Sequence, residues 1–533
     1  MYNTVVILAV NAKYVHSSLS AWVLARSVRL HAARSYDVHV EECTVNQADA
    51  DIVRRVADHA PDVVAVSVYI WNAGKLAGLL EALRGALPGA VVVLGGPEAS
   101  HNAEYWLDNG ADYVVRGEGE RAFPALLDCA ENGGVPRIFG TDAPFAPVDP
   151  YDEACLSALK GRLAYIETSR GCPFTCAFCL SGGCRVRFFP MEAAKAQISK
   201  LARSGTRTIK FVDRTFNCDV DRAYRLFEYI IGLDTACCFH MEVGADLFDE
   251  RTLALLAAAP PGRFQLEAGL QSFHEPTLLA VSRKTDQEAA ERNIRTIMRG
   301  RNIHVHIDLI AGLPHETLAD FRASFARAYG LGAHNLQLGF LKLLHGSKLR
   351  EDADALGIRY CPRPPYEILH SPWLSEQDLQ TLKHAENALR STYNKGRFLQ
   401  TLEYVCAASG LDPFSLFGAI GTAAPNHATD LTRYAEALHG IFAALPGIDG
   451  DILRDNMHRD WLMMVTGKNT PPFLRKGGRN TMVRVAERKL GRTIARDEAA
   501  TLSDGTGVFV DSRSRDPVTG LYALHHVSPE QSE

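Results

Sequence analysis

The stretch Cys172-Pro-Phe-Thr-Cys176-Ala-Phe178-Cys179 decides the central fold of this 533-residue chain. It places three thiols in a CxxxCxxC spacing on one loop, directly after a strand predicted over residues 163–168. Three thiolates this close in sequence can bind three irons of a [4Fe–4S] cluster and leave the fourth iron open to a small molecule. A structural zinc site with Cys184 as fourth ligand is the alternative. Zinc sites usually pair two short cysteine elements far apart in sequence, and this chain has no second pair.

Outward from this loop, a strand–helix unit repeats six times between about residues 163 and 346. Helices are predicted between the strands, for example over residues 191–203 and 287–298. Six such units predict a partial (β/α)6 barrel with its active site at the carboxyl ends of the strands. The predicted strands are residues 163–168, 208–212, 237–243, 264–268, 304–310 and 336–341.

The first 140 residues alternate β-branched runs with helical patterns and predict a doubly wound, Rossmann-like parallel sheet. Ligands bind such sheets outside the carboxyl ends of the strands. The loops at those ends are residues 11–18, 67–72, 95–98 and 116–120. The predicted strands are residues 4–10, 38–43, 63–68, 90–94 and 113–115, and the helices include 19–31, 73–86 and 120–131.

The length of the chain predicts two to four domains, since single domains hold roughly 100–200 residues. We expect an α/β domain over 1–140, the barrel over 156–350 and a mainly helical domain over 351–533. The Pro- and Asp-rich stretch 144–155 is expected to link the first two domains.

The composition is that of a globular protein, with 47% hydrophobic and 22% charged residues. A formal net charge of −5 argues against a dedicated nucleic-acid binder. A basic run over 475–496 is either a solvated helix face or a patch for an anionic substrate or RNA. There is no signal-peptide pattern and no apolar run long enough for a membrane span. With twelve cysteines, these features predict a reducing, cytoplasmic location.

The cysteine loop resembles the signature of the radical S-adenosylmethionine (SAM) superfamily. In that superfamily the open iron chelates the amino and carboxylate groups of SAM, and one electron from the cluster cleaves SAM to a 5′-deoxyadenosyl radical. The resemblance implies a [4Fe–4S] cluster held by Cys172, Cys176 and Cys179. It also implies an external one-electron reductant of the flavodoxin or ferredoxin type.

The strand ends carry the residues that this resemblance implies for SAM. Asp213 follows the second strand, where the superfamily binds the amino group, although many relatives have two acids there and this chain has Arg214 next. Arg283 resembles the basic residue that pairs with the carboxylate, a task suited to a planar guanidinium. The other implied contacts are Phe178 with adenine, Glu242, Gln271 and Ser272 with ribose or carboxylate, and the backbone from Ile310 to Gly312 with adenine.

The loops of the first domain resemble those of cobalamin-binding domains that precede the barrel in one large radical SAM class. Ser67-Val68-Tyr69 and Gly95-Gly96 match the S-x-L and G-G elements of those domains. A Ser hydroxyl can hydrogen-bond the dimethylbenzimidazole tail, and two glycines let the backbone approach a flat ligand. The cobalamin contacts implied are Ser67, Tyr69, Gly95, Gly96, Pro97, Glu98, Gly117 and Glu118.

His16 is the possible cobalt ligand on the loop that follows the first strand. The corresponding family element is D-x-H-x-x-G, and this chain keeps the His but has Tyr14 in place of the Asp and lacks the Gly. Loss of the Asp removes the group that would orient the imidazole on a metal. The alternative is that His16 caps or packs the loop.

The resemblance implies a cobalamin-dependent radical SAM enzyme that methylates an unactivated carbon of a small-molecule or peptide substrate. It covers about residues 1–350, and the C-terminal extension resembles a bacterial subgroup whose last domain has no assigned function. Two alternatives remain: a radical SAM enzyme that binds cobalamin without transferring methyl, and a corrinoid or redox sensor. A fold-level match does not choose the substrate.

Overall fold

The computed structural model describes residues 2–130, 134–141, 147–424, 430–465, 470–475 and 479–527. It consists of two compact units. The first comprises Met1–Gly244, Val281–Lys284 and Leu341–Ser371, and the second comprises Ala245–Ala280, Thr285–Phe340 and Pro372–Glu533. Because these units do not follow the expected domain limits, the limits at residues 140, 156 and 350 stay predictions.

The first unit opens with a parallel sheet of six strands in the order β2-β1-β3-β4-β5-β6. The predicted doubly wound sheet is therefore confirmed, with one strand more than expected, because β6 has only two residues and gives no sequence pattern. The strands are β1 (Thr4–Asn11), β2 (Asp37–Thr44), β3 (Val63–Ser67), β4 (Val91–Gly95), β5 (Tyr113–Val115) and β6 (Ile138–Phe139). The helices are α1 (Leu19–His31), α2 (Asp49–Ala57), α3 (Ala73–Ala86), α4 (Pro97–His101), α5 (Ala103–Asp108) and α6 (Gly119–Ala130).

The strands of this sheet are buried on both faces, which explains their continuous apolar runs. All five residues of β3 are buried, and two separate hydrophobic clusters cover the two faces of the sheet. The strand order reverses between β1 and β3, and ligands bind outside the carboxyl ends of strands at such a switch point. The loops that follow β1 and β3 therefore flank the expected ligand crevice.

The stretch predicted as a linker is packed over its described part. It leads into α7 (Glu153–Ala158), whose N-cap Asp152 accepts a hydrogen bond from the Cys155 N–H. The Tyr151 hydroxyl is buried and donates to the Tyr165 carbonyl at 2.6 Å. Residues 144–146 lie outside the described residues.

Three strands of the second sheet belong to the first unit. β7, β10 and β11 pair in parallel, and β8 and β9 form a short antiparallel pair at the two ends of the cysteine loop. The elements are β7 (Ala164–Ile166), β8 (Ser169–Arg170), β9 (Arg187–Phe188), α8 (Met191–Ala202), β10 (Thr208–Phe211), α9 (Val220–Ile231) and β11 (Cys238–Val243).

The other three βα strands belong to the second unit, where β12, β13 and β14 pair in parallel. Buried apolar residues alternate with partly buried polar ones along β12, as expected for a barrel strand. All six predicted βα strands are thus present, which confirms the (β/α)6 architecture. The elements are α10 (Glu250–Ala257), β12 (Phe264–Gln271), α11 (Glu275–Ala280), α12 (Gln287–Gly300), β13 (His304–Ala311), α13 (Leu318–Tyr329) and β14 (Asn335–Phe340).

The C-terminal region is mainly helical, as predicted, and adds an antiparallel sheet in the order β17-β18-β19 that the sequence did not predict. No helix among the described residues is long and apolar enough to span a membrane. The first elements, in the first unit, are α14 (Lys348–Glu351), β15 (Arg359–Tyr360) and β16 (Ile368–His370). The rest are α15 (Glu376–Ser391), α16 (Leu399–Ser409), α17 (Pro413–Ala423), α18 (Leu431–Ala443), α19 (Gly450–Met464), α20 (Arg479–Leu490), β17 (Ala499–Thr501), β18 (Gly507–Arg515) and β19 (Tyr522–Val527).

Candidate functional site

The three cysteines of the CxxxCxxC motif lie on one loop at the carboxyl end of β7. Cys172 and Cys176 are buried and Cys179 is partly buried. The Cys179 N–H donates to the Cys176 carbonyl at 3.0 Å, which forms a tight turn between the second and third thiols. Burial raises the pKa of the Cys179 thiol, and the neighbouring Cys176 and Cys172 raise it further. The three thiols thus lie on one short, largely buried loop, where they could serve together as ligands of one cluster.

Two glycines allow this loop to fold tightly. Gly171 has a φ of +102°, and a Cβ there would lie 2.4 Å from the Arg185 carbonyl oxygen. A Cβ on Gly182 would lie 3.1 Å from the Cys176 carbonyl oxygen. Side chains at either position would therefore push the two halves of the loop apart.

Cys184, the fourth ligand of the zinc alternative, differs from the other three thiols. Its side chain is exposed, and its Sγ lies 4.0 Å from the Gly182 carbonyl oxygen. Its own carbonyl accepts a hydrogen bond from the Cys172 N–H at 3.0 Å. Cys184 therefore shapes the loop through its backbone, and the set of two buried and one partly buried thiol fits a three-cysteine cluster site better than a four-cysteine zinc site.

Two polar side chains contact the cysteine sulfurs. The Arg283 guanidinium lies 3.7 Å from the Cys176 Sγ and packs over the Phe174 ring at 5.4 Å. The Thr215 Oγ1 lies 3.6 Å from the Cys172 Sγ. Arg283 was predicted for the SAM carboxylate, and the structure places it beside a predicted cluster ligand. Thr215 was not singled out, because a threonine after a strand carries no recognisable signal.

Asp213 lies at the carboxyl end of β10 and is fully buried. Its carboxylate accepts three hydrogen bonds, from the Thr168 N–H at 2.8 Å, the Thr168 hydroxyl at 2.7 Å and the Ser169 hydroxyl at 2.6 Å. Burial raises its pKa to about 6, although these donors act in the opposite direction. A carboxylate can accept about four hydrogen bonds, so these three donors leave room for one more, and the contact with the SAM ammonium stays a prediction.

Two further SAM candidates of the first unit also lie at strand ends. Glu242 is partly buried near the end of β11, and its carbonyl accepts from the Phe216 N–H at 2.8 Å. Phe178 is partly buried between Ala177 and Cys179. Neighbouring Ala177 donates its N–H to the Val281 carbonyl at 2.9 Å, which ties this part of the loop to the segment that carries Arg283. Their contacts with SAM stay predictions.

Gln271 ends β12 in the second unit and has features of a ligand contact. Its φ is +71°, a region that non-glycine residues rarely adopt and that is frequent at functional sites. A Cβ on Gly269 would lie 2.3 Å from the Gln271 Nε2, so the glycine lets this side chain fold back along the strand. The Gln271 Oε1 is buried and accepts no hydrogen bond from the described residues. An acceptor of this kind fits a ribose hydroxyl.

The next residue, Ser272, is occupied by protein contacts. Its hydroxyl donates to the Glu316 Oε1 and accepts from the His274 N–H at 2.9 Å. Glu316 is fully buried, and burial raises its pKa to about 7. A direct role of Ser272 toward SAM stays a prediction, and Glu316 is a buried hydrogen-bond partner of this turn.

The predicted adenine-binding backbone lies at the end of β13. Ile310 is partly buried and pairs with Gly339 of β14. Gly312 is buried with a φ of +97°, which ends the strand in a turn that favours glycine. The backbone from Ile310 to Gly312 therefore lies at the carboxyl end of β13, and its contact with adenine stays a prediction.

The predicted cobalamin loops follow β3 and β4 of the first sheet. Ser67 is buried at the end of β3 and pairs with Gly95 at the end of β4. The Tyr69 hydroxyl donates to the Ser20 hydroxyl at 3.1 Å, and its ring stacks on half-exposed Trp71 with centroids 4.3 Å apart. The two loops therefore lie side by side at the carboxyl edge of the sheet, and the loop after β3 borders its switch point.

The glycine pair is required by protein packing as well as by any ligand. Gly96 has a φ of +88°, and a Cβ there would lie 2.8 Å from the Val68 carbonyl oxygen. At Gly95 the nearest atom would be the Val115 carbonyl oxygen at 3.5 Å, an ordinary contact. Pro97 is exposed at the start of α4, and Glu98 is buried and accepts from the Tyr366 hydroxyl at 2.6 Å. Gly96 thus keeps the loops after β3 and β4 in contact.

The loop after β5 joins the first sheet to the cysteine loop through charges. Glu118 is paired with Arg187 and, at 3.4 Å, with Arg170. Burial raises the pKa of Glu118, but these two guanidinium groups outweigh it and hold the pKa below its ordinary value. Gly117, with a φ of +81°, donates its N–H to the Ser100 hydroxyl at 3.1 Å. Arg170 directly precedes the cysteine loop, so two predicted cofactor loops share this ion-pair cluster.

His16 packs against the first barrel strand. Its Nδ1 lies 2.6 Å from the Tyr165 hydroxyl, and burial is the main cause that lowers its pKa. Arg162 donates to the His16 carbonyl and also pairs with Glu42 at 2.7 Å, and both of those charged side chains are buried. These contacts pack the His16 loop against the barrel strand through Nδ1 and the backbone carbonyl, and the role of His16 toward cobalt stays a prediction. The Arg162–Glu42 pair was not predicted, because its partners lie 120 residues apart.

The basic run over 475–496 is only partly described. Residues 476–478 lie outside the described residues. Arg484, Arg488 and Lys489 are exposed on α20, whereas Arg492 is paired with Asp511 at 2.7 Å. A role in anion binding stays a prediction.

Three family models match the chain in succession. A model described as a B12 binding domain matches residues 5–127, and the Radical SAM superfamily model matches residues 166–328. A model described as a protein of unknown function (DUF4080) matches residues 354–501. The first two matches cover the sheet and the cysteine loop described above.

This chain is a radical SAM protein with a B12-binding domain. It is 25% identical over 430 residues to the cobalamin-dependent radical SAM methyltransferase TokK of Streptomyces tokunonensis, covering 72% of this chain and 62% of TokK. It is 34% identical over 182 residues to the hopanoid C-3 methylase of Methylococcus capsulatus, covering 30% of this chain and 34% of that protein. This radical SAM protein therefore spans less than two thirds of the length of either relative.

A solved structure supports the fold of this radical SAM protein. The methyltransferase TsrM from Kitasatospora setae, with cobalamin and a [4Fe–4S] cluster bound, matches with a TM-score of 0.55 and 20% identity. The match covers 68% of this chain and 80% of TsrM. At this identity the match concerns the fold alone.

Proposed function

We propose that this protein is a cobalamin-dependent radical SAM enzyme that methylates an unactivated carbon. The observation that carries the proposal is the CxxxCxxC loop at the end of β7, with two buried thiols and the Arg283 guanidinium 3.7 Å from the Cys176 Sγ, in a chain whose first sheet matches a B12-binding domain. TokK is named a cobalamin-dependent radical SAM methyltransferase, and TsrM was solved with both cofactors. The resemblance to TokK supports this reaction class here, and the TsrM match supports the fold that would hold both cofactors.

The residues present fit the proposed cofactors. Cys172, Cys176 and Cys179 would hold three irons of a [4Fe–4S] cluster, since their loop offers three thiols and excludes much of the solvent. Bound together, the cluster and SAM supply a carbon-centred radical that removes a hydrogen atom from the substrate, and cobalamin supplies the methyl group. A soluble electron carrier of flavodoxin or ferredoxin type would supply the electron.

The protein's part is to bind and orient these groups and exclude water. Arg283 is proposed to pair with the SAM carboxylate, because a guanidinium can donate two parallel hydrogen bonds to it. The buried Gln271 Oε1 is proposed to accept from a ribose hydroxyl. Asp213 and Glu242, near two other strand ends, are proposed to serve the ammonium and the ribose.

The cobalamin contacts are proposed on the loops that follow β3, β4 and β5. Ser67 and Tyr69 would contact the tail of the ligand, and the Gly95–Glu98 turn would let it approach the backbone. Gly117 and Glu118 would border the same crevice. All three loops lie at the carboxyl ends of the strands, where a doubly wound sheet binds ligands, and the loop after β3 borders the point between β1 and β3 at which the strand order reverses.

The test is transfer of an isotopically labelled methyl group. The protein would be reconstituted anaerobically with iron, sulfide and hydroxocobalamin, then incubated with methyl-deuterated SAM, a low-potential reductant and a bacterial metabolite extract. We expect a deuterated methyl group in at least one extract component with wild-type protein and in none with Cys176→Ala. SAM cleavage without label transfer would favour a non-methylating radical enzyme, and a loaded protein that never cleaves SAM would favour a sensor.

A further inference from the structure

The segment Leu341–Ser371 leaves the barrel after β14 and belongs to the first compact unit. Near its start, the Leu349 N–H donates to the Ala177 carbonyl at 2.8 Å. Ala177 lies between the second and third cysteines of the CxxxCxxC loop. One end of this segment is therefore attached to the backbone of the predicted cluster site.

Near the other end of the segment, the Tyr366 hydroxyl donates to the Glu98 Oε1 at 2.6 Å. Both side chains are buried, with 3% and 5% exposure. A hydrogen bond from a neutral hydroxyl to a buried carboxylate is charge-assisted and stronger than a neutral one. Glu98 also donates its backbone N–H to the Val68 carbonyl at 3.2 Å, so it touches the loops after both β3 and β4.

The segment is held in one conformation between these two ends. The Leu343 N–H donates to the Tyr366 carbonyl at 3.0 Å. The Arg350 guanidinium packs over the rings of Tyr360 and Tyr366, at 4.9 and 4.8 Å from their centroids. Tyr366 has a φ of +59°, which a residue with a bulky side chain adopts only when its surroundings impose it.

A glycine allows the segment to pack closely on α4. A Cβ on Gly346 would lie 2.2 Å from the His101 Nδ1, so only glycine lets the backbone approach the imidazole at this distance. His101 is the last residue of α4, and Glu98 lies one turn earlier on the same helix. The segment thus contacts α4 at two points.

We propose that Tyr366 is a positioning residue. It fixes the Gly95–Glu98 turn of the first domain, one of the proposed cobalamin contacts, relative to the cysteine loop. The proposal rests on the proposed cobalamin function. Hydrogen and methyl transfer need reacting atoms held at about 3–3.5 Å. A small displacement between two cofactor loops would therefore lower the rate of the reaction. The Leu341–Ser371 segment joins those loops through Leu349 at one end and Tyr366 at the other. It also gives a role to the start of the domain of unknown function, whose match begins at residue 354.

The test is a double-mutant cycle on hydroxocobalamin affinity. Tyr366→Phe, Glu98→Gln and the double variant would be titrated anaerobically, with binding followed by visible absorbance. We expect each single variant to raise Kd about tenfold, the scale of one hydrogen bond to a charged group, and the double variant to raise it no further. The matched control is Tyr360→Phe, whose ring is stacked by the same Arg350 and whose affinity should equal that of wild type.

A second measurement keeps the test independent of cobalamin. Hydrogen exchange of the peptide covering residues 95–102 should be faster in Tyr366→Phe than in wild type or Tyr360→Phe, while iron content after reconstitution stays the same. Unchanged exchange and unchanged Kd in Tyr366→Phe would overturn the proposal, as would additive losses in the double variant. Wild-type protein that binds no hydroxocobalamin would instead contradict the proposed function, and the exchange result would still decide whether Tyr366 positions the turn.

Discussion

Replacing Gly96 by Ala tests whether the contact between the loops after β3 and β4 is needed to bind cobalamin. The new Cβ would lie 2.8 Å from the Val68 carbonyl oxygen and 3.1 Å from the Val68 N. Both are backbone atoms, so one of the two loops has to move. Alanine at a φ of +88° and a ψ of 175°, a region confined almost entirely to glycine, also costs about 1–3 kcal/mol in backbone strain. The clash adds to this strain, and the displacement falls on the predicted cobalamin contacts.

We expect Gly96→Ala to raise the Kd for hydroxocobalamin about 10–30-fold, because the displaced loop loses contacts with the ligand and each 1.4 kcal/mol of binding free energy lost is a factor of about ten. Anaerobic titration followed by visible absorbance measures this, and iron content should be unchanged. Gly110→Ala is the matched control, because its φ is +107° but the nearest atom to its Cβ is the Leu80 Cβ at 3.8 Å. Gly110→Ala therefore also places alanine at a positive φ, but without a backbone clash, and Gly110 precedes a strand of the sheet instead of following one. Equal affinities for both variants and wild type would refute the reasoning.

Three further predictions concern the metal and SAM sites. Ala in place of Cys172, Cys176 or Cys179 should abolish the iron content of reconstituted protein, because each removes one of three ligands, whereas Cys184→Ala should keep it; the reverse pattern in iron analysis would refute the three-cysteine assignment. Arg283→Lys should weaken SAM binding by about 1–3 kcal/mol, since a guanidinium fork is lost, and calorimetry that shows unchanged affinity would make Arg283 a structural residue. His16→Ala should leave the visible spectrum of bound cobalamin unchanged, because Tyr14 stands where the family has the Asp that would orient the imidazole on a metal; a nitrogen hyperfine splitting in the Co(II) state that disappears in the variant would contradict this.

The sequence predicted most of the α/β architecture because its signals are local. The helices Leu19–His31 and Ala73–Ala86 begin and end where the periodicity predicts. All six barrel strands lie within a few residues of their predicted positions, since β-branched and apolar runs bounded by turns mark buried strands. Each motif at these strand ends is also recognised from a few neighbouring residues. The candidate residues could therefore be named from the sequence without knowledge of their contacts.

The missed features depend on contacts between distant residues or on very short elements. β6 has two residues, and β17 has three, so neither gives a measurable pattern. The Tyr366–Glu98 hydrogen bond joins residues 268 apart, and nothing near either residue predicts it. The reason for a glycine at position 96 also depends on a contact that the sequence does not show. The sequence predicted close approach to a ligand, whereas the structure shows that the backbone of Val68 already fills the space of a Cβ.

The central claim is that the CxxxCxxC loop of this chain supports reductive cleavage of SAM. The most direct measurement is the amount of 5′-deoxyadenosine released from SAM by anaerobically reconstituted protein with a low-potential reductant, quantified by mass spectrometry. We expect release by wild type and by Cys184→Ala, and none by Cys176→Ala. Wild-type protein that carries a full cluster and binds SAM but releases no 5′-deoxyadenosine, or a Cys176→Ala variant that releases as much as wild type, would contradict the account.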